Sequence, residues 1–276
     1  LELSLRLQGV KQTPRPSADI HRARAVPVVA PNINGRESKG VRPNLSKIVK
    51  GVMTCPRLVF ADNMFCAMQA LVPLHIPLER RGGVYFGQAI QNMLEKAVLD
   101  GYRYALTLDY DTVFDGQDVF DLYQALEQNP HADAVTAFQM FRNKDCALLS
   151  LYDAEGHYKS LIAEADLQVP LLRVASAHFG LTLIRCDALK DLPKPWFVAV
   201  PGEDGGWADG RVDEDVFFWQ LFRSHGKALY LAPNVVVGHM QMVATWPSRD
   251  LMAKHQYMND YNSDGKPAWA FRQEVA

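Results

Sequence analysis

Between residues 47 and 239 the chain alternates short apolar runs with longer segments of helical period, and this alternation constrains the fold more than any other feature. "KIVKGVMT" reads as a first strand and "FADNMFCAMQAL" as a first helix. "GQAIQNMLEKAVLDG" is a second helix, with Ala89, Met93 and Ala97 on one face and Gly101 closing it. There follow a strand, "YRYALTLD", a helix, "GQDVFDLYQALEQ", that opens on acids and stops before Pro130, and a further strand, "ADAVTAFQM". Strands alternating with helices predict an α/β layered domain around a largely parallel sheet. No internal repeat or separate second core is visible, and a single domain is the economical reading.

The strand in "YALTLDYDTVF" stops abruptly on Asp109 and Asp111. Two carboxylates held close repel each other unless a cation or a shared proton lies between them, so this pair marks a binding site. In open α/β sheets ligands gather beyond the carboxyl ends of the strands, which is where these aspartates fall.

The second half is less regular. "LLRVASAHFGLTLIRCDAL" reads as a strand or strand pair broken near Gly180, and "PKPWFVAVPGEDGGWADGR" as a long loop of the kind that binds or covers a ligand. In "VDEDVFFWQLFRSHG" the acids Asp213, Glu214 and Asp215 open an apolar helix. One acid there is explained by capping and the helix dipole; three beside a long loop point to a further role. "KALYLA" and "NVVVGHM" read as strands around Pro233, the second ending in His239.

With 48% hydrophobic and 22% charged residues over 276 positions, the composition is that of an ordinary globular protein. Cys55, Cys66, Cys146 and Cys186 are widely spaced and form no Cys-x-x-Cys pair, which argues against a disulfide scaffold or a structural zinc site and for a reducing compartment. No apolar stretch spans a bilayer and "LELSLRLQGV" is not a signal peptide, so the expected location is cytoplasmic. The net charge of -2 hides an asymmetry: residues 1–50 hold ten basic and three acidic residues, the rest 19 and 28. Residues 1–47, basic and rich in proline, read as an arm or strap, either solvated or touching a partner. Contact with a polyanion such as nucleic acid is the alternative.

Taken in order, "MTCPRLVF", Gln88 and Asn92 in "GQAIQNMLEKA", the Asp-x-Asp of "LTLDYD", "HFGLTLIRCDAL", "DEDVFFWQLFRSHG" with Arg223, and "LYLAPNVVVGHM" resemble a GT-A fold glycosyltransferase, family 2-like and of the Asp-x-Asp type. The resemblance covers residues 48–245. It implies one Rossmann-like α/β/α domain with a mixed central sheet, flanked by the arm at 1–47 and an extension at 246–276. It also implies a nucleotide-sugar donor, a UDP- or GDP-sugar, and a divalent cation that offsets the charge growing on the departing diphosphate.

By this resemblance Asp111 binds Mn²⁺ or Mg²⁺ directly, and Asp109 touches the donor ribose or reaches the metal through water. His239 completes the metal shell and tilts the choice towards Mn²⁺; a hydrogen-bonded histidine at a strand end is the plainer reading. Asp215 matches the general base of inverting members, with Glu214 and Asp213 as alternatives, and a retaining enzyme would use no such base. Thr54, Cys55 and Arg57 fall where the family holds the base and ribose, and Arg80, Arg81, Gln88 and Tyr110 are further donor contacts. Trp207 and Asp213 are assigned to the acceptor, Trp207 as a platform for a sugar ring, and Trp196 to core packing.

Two other classes compete. "TLDYDTVF" also satisfies the Asp-x-Asp opening of haloacid-dehalogenase-like phosphatases, with Asp109 as nucleophile and "DEDVFF" as the late acidic motif. That opening belongs on the first strand of such a domain, whereas here a strand and two helices precede it. A catalytically silent sugar-nucleotide or glycan-binding module of the same fold is the other.

Overall fold

In the computed structural model, which describes residues 43–270 apart from 57, 84, 143–144, 153–157, 160–161 and 209, β1 (Val49–Thr54) leads into α1 (Ala61–Leu71). Then come β2 (Leu78–Arg81), α2 (Phe86–Leu99), β3 (Tyr104–Asp109), the two-residue β4 (Thr112–Val113), α3 (Gly116–Gln128) and β5 (Ala134–Phe138). Short strands fill the next stretch: β6 (Leu149–Tyr152), β7 (Tyr158–Lys159), β8 (Leu172–Arg173) and β9 (Ser176–Ala177). β10 (Leu181–Arg185), α4 (Cys186–Lys190), α5 (Glu214–Ser224), β11 (Leu229–Val236) and β12 (Gly238–His239) follow. The hairpin of β13 (Val243–Pro247) and β14 (Ala253–Tyr257) and then α6 (Met258–Asp264) come last.

Local chemistry sets the helix ends. Asp115 accepts from the amides of Gln117 and Asp118 while Asp118 accepts from the amide of Asp115, a capping box that opens α3. Gly101, at φ +78°, closes α2, with the Tyr102 amide returning to the Ala97 carbonyl.

Seven strands form the central sheet in the order β2-β1-β3-β10-β5-β11-β8. β1 is parallel to β2 and β3, and β5 is parallel to β11. β10 runs antiparallel between β3 and β5. The sheet is therefore mixed, as the resemblance implies, rather than largely parallel as the alternation alone predicts. The reason lies in the connection: between β5 and β10 the chain passes through short strands instead of a crossover helix, and it re-enters the sheet in the opposite direction.

Two further differences from the sequence reading are local. Leu229 to Val236 is one strand and not two, with a register shift between Ala232 and Val236 that accommodates Pro233, a residue unable to donate to the ladder. β2, "LERR", escapes a reading by hydrophobicity because three of its four residues are charged.

Alternate strand residues feed two cores. Met53, Leu106 and Leu108 join Leu71, Leu122 and Leu126 of α1 and α3. Val52 and Ala105 face the other way and join Ile90, Met93, Phe218 and Trp219 of α2 and α5. Of the expected arm, residues 1–42 lie outside the described residues, and Leu45 is buried in the first core with its amide on the Leu74 carbonyl. No helix among the described residues is long and apolar enough to cross a membrane.

The strand directions collect the carboxyl ends of β2, β1, β3, β5 and β11 at one edge of the sheet, together with the amino end of β10. Arg81, Thr54, Asp109, Gln139 and Phe179 meet at that edge for this reason alone, and all of them line one cleft.

Candidate active site

The cleft has a volume of about 590 Å³, within the range of roughly 300–1,000 Å³ usual for small-molecule sites. Asp109, Tyr110 and Asp111 line it, as do Asp213, Glu214, Asp215 and His239, and Thr54, Cys55 and Arg81. The sequence motifs at 109–111 and 213–215 thus open onto the same space. Gln88 is exposed and is not among the lining residues; Trp207 is 59% exposed and is not among them either. Arg80 is exposed and also absent from the lining, and Arg57 lies outside the described residues.

The turn at 109–112 is held from three directions. Asn63 reaches out of α1 and donates through Nδ2 to the carbonyls of Asp109 (3.1 Å) and Thr112 (2.5 Å). The Asp109 amide donates to the Gly180 carbonyl at 3.3 Å. Gln139 donates through Nε2 to Thr112 Oγ1 and to the Gly238 carbonyl, both at 3.2 Å. Gly180 allows this convergence because a Cβ there would stand 2.6 Å from Thr112 Oγ1 and 2.8 Å from His178 Nδ1.

Antiparallel pairing of β4 with β12 sets Thr112 opposite His239, and the Met240 amide donates to the Asp111 carbonyl at 2.7 Å. His239 Nε2 then stands 3.5 Å from Asp111 Oδ2. Its Nδ1 lies 3.0 Å from the Met140 carbonyl, which can only accept, so Nδ1 is the donor there and Nε2 is the nitrogen that faces the carboxylate. Asp111 is buried, and Arg142 Nη1 also lies 3.2 Å from Oδ2. Thr54 Oγ1 donates to Asp109 Oδ1 at 3.3 Å. Burial first, and then the charge of Asp111, push the Asp109 carboxyl up to about 7, with Asp215 adding to the repulsion.

The acids at the head of α5 divide their contacts. Glu214 Oε2 accepts from the Gly87 amide at 2.9 Å, which ties α5 to the first turn of α2. Asp213 pairs with Arg211 at 2.8 Å. Asp215 accepts only from the Val216 amide (2.8 Å) among the hydrogen bonds found for its side chain, and burial raises its pKa.

Among the described residues no group of three or more His, Cys, Asp or Glu side chains stands close enough to hold a metal ion by itself. Asp111 and His239 nevertheless suit a divalent cation: one buried carboxylate oxygen, one imidazole whose Nε2 faces it, and a separation of 3.5 Å, close to the roughly 3 Å between adjacent ligands of an ion bound at about 2.1 Å. An ion of this kind takes one or two protein ligands and completes its shell from substrate phosphates and water.

Sequence reasoning missed Asn63, Gln139 and Arg142. Asn63 carried a signal, since it shares the buried face of α1 with Ala67, Ala70 and Leu71 and is a polar residue where the pattern calls for an apolar one.

No protein-family model matches this sequence, and no curated protein matches it. Among solved structures, A197 from STIV is 18% identical with a TM-score of 0.49, over 76% of this chain and 94% of that one. GalNAc-T7, solved with UDP, GalNAc and Mn²⁺, is 11% identical with a TM-score of 0.47, over 70% of this chain and 43% of that one.

Proposed function

We propose that this protein is a divalent-metal-dependent glycosyltransferase of the GT-A type that moves a sugar from a nucleotide-sugar donor to an acceptor hydroxyl with inversion. The observation that carries this reading is the meeting, in one cleft at the carboxyl edge of the sheet, of the Asp111–His239 pair with Asp215, whose carboxylate is bonded, among the described residues, only within the first turn of its own helix and is raised in pKa by burial. The catalytic domain spans 48–245, with 246–276 an extension.

In this reading Thr54, Cys55, Arg81 and Tyr110 line the donor's place, with Arg57 beside them in sequence, and Asp109 meets the ribose. Asp111 and His239 would hold Mn²⁺ or Mg²⁺, which supplies charge neutralisation at the departing diphosphate. Asp215 takes the proton from the acceptor hydroxyl as that oxygen attacks the anomeric carbon, and its raised pKa suits a proton acceptor. Glu214 positions it by fixing the head of α5 on α2. Asp213 and its partner Arg211 stand at the acceptor side. The donor is a UDP- or GDP-sugar.

A thermal-shift panel of nucleotides and nucleotide sugars, with and without Mn²⁺, tests the reading on the wild type and on Asp111→Asn. Ligand binding to the native state raises the melting temperature by mass action. The expected result is a Mn²⁺-dependent shift with one nucleoside diphosphate, lost in the variant. Stabilisation by a phosphate mimic with indifference to every nucleotide would replace it with the phosphatase.

A further inference from the structure

Arg142 follows β5 by four residues, just beyond Met140, whose carbonyl orients His239. Its guanidinium and the His239 ring approach the same atom, Asp111 Oδ2, at 3.2 and 3.5 Å. The two ends of the ion pair differ in freedom: the Asp111 side chain is 6% exposed and that of Arg142 is 48% exposed. Asp111 is therefore held, and Arg142 has room to leave. Arg142 also borders a second hollow of about 590 Å³, which shares Pro56 and Tyr110 with the cleft, so space exists on both sides of it.

A guanidinium and a divalent cation make rival claims on one carboxylate oxygen, because each brings a charge that repels the other at contact distance. A guanidinium displaced from a carboxylate has a better partner in a diphosphate, whose paired oxygens match its fork of donors. We propose that Arg142 is an internal counter-ion of the metal site, which holds Asp111 before the cation binds and passes to the donor's diphosphate when the cation takes its place. Displacing Arg142 weakens the cation binding alone, and the diphosphate recovers that loss by giving Arg142 a new partner. Cation and nucleoside diphosphate then bind cooperatively, and the coupling is the same read from either side. This rests on the transferase reading for the diphosphate, while the rivalry for Asp111 stands on the geometry alone.

Titration of the full chain with Mn²⁺, followed by the electron paramagnetic resonance of free Mn²⁺ and repeated with UDP or GDP present, separates the two parts. Arg142→Met is expected to bind Mn²⁺ alone about tenfold more tightly and nucleoside diphosphate with Mn²⁺ about tenfold more weakly. Arg142→Lys keeps the charge without the fork, so it should match the wild type for Mn²⁺ alone and still lose diphosphate affinity. Unchanged or weaker Mn²⁺ binding by Arg142→Met, with a wild-type melting curve, overturns the proposal even if nucleotides bind. Tighter Mn²⁺ binding by Arg142→Met with no nucleotide bound to any form upholds the rivalry and removes the transferase reading. Absence of Mn²⁺ binding in every form overturns both.

Discussion

Asp109 and Asp111 at the end of β3, and Asp213, Glu214 and Asp215 at the head of α5, are acids placed around one cleft that find their partners in different ways. The α5 group sits where the helix dipole and free amides welcome negative charge: Glu214 takes the Gly87 amide, Asp213 takes Arg211, and Asp215 the Val216 amide. The β3 pair has no such compensation from a helix end. Asp109 is pushed up to about 7 by burial and by Asp111, and Asp111 has the Arg142 guanidinium beside it. The comparison teaches that Glu214 and Asp213 each have a partner outside their own turn while Asp215, raised by burial and by its acidic neighbours, has none among the described residues; in the proposed reading Asp215 accepts the proton and the β3 pair meets the cation.

The widest expected gap between the groups is in catalysis. Asp215→Asn should lower transfer by roughly 10²–10⁴-fold, the scale of a lost general base, while the Mn²⁺-dependent thermal shift with nucleotide is retained. Loss of the thermal shift along with turnover would move Asp215 to the binding side of the comparison.

Next in size is a pH effect from His178, which lies beneath the β3 turn. Its Nδ1 accepts from the Gly180 amide and its Nε2 lies 2.9 Å from the Ala137 carbonyl, and burial, against the pull of that carbonyl, pushes its pKa down to about 4. Above the unfolded value of about 6.5 both states are neutral and stability is whole. Below it the unfolded chain takes up a proton that the folded one refuses, and roughly 3 kcal/mol is lost between about pH 6.5 and pH 4. Urea midpoints across this range should fall more steeply for the wild type than for His178→Gln; parallel curves would exclude the assignment.

Asn63→Ala strips the Asp109 and Thr112 carbonyls of their shared donor. The expected cost is about 2 kcal/mol in chemical denaturation, as for buried acceptors left unsatisfied, with weaker Mn²⁺ binding because the turn that presents Asp111 is loosened. A stability loss with Mn²⁺ affinity intact would show that Asn63 serves the fold and not the site. The smallest effect is reserved for Glu214→Gln: about 0.5–1 kcal/mol through a weakened charge at the helix start, with turnover within a few-fold of wild type. A collapse of turnover at full nucleotide affinity would transfer the base role to Glu214.

The elements with a period of their own were the most legible. β1, α1, α2, β3, α3, β5 and α5 each match a run whose period shows in its own residues, and the end of β3 on Asp109 was visible because an apolar run stopped on charge. β2 was not legible, since Glu79, Arg80 and Arg81 are held in a strand by pairing with β1 rather than by their own preference. The direction of β10 and the continuity of β11 through Pro233 depend on neighbours in the sheet. Gln88 and Trp207 have suitable chemistry, and whether a side chain lines the cleft depends on how α2 and the long loop pack, which their own residues do not state.

By itself the sequence determined the α/β class, the acids at 109, 111 and 213–215, and His239 as the end of a strand. Those features are written in residues adjacent along the chain, where periodicity and abrupt changes of polarity can be read directly. Only the tertiary structure decided that β4 pairs with β12 to bring Asp111 against His239, that Asn63 clasps the turn between them, and that Arg142 rests on the same carboxylate oxygen. Contacts of that kind join residues far apart in the chain, and they exist because a mixed sheet aligns the strand ends at one edge.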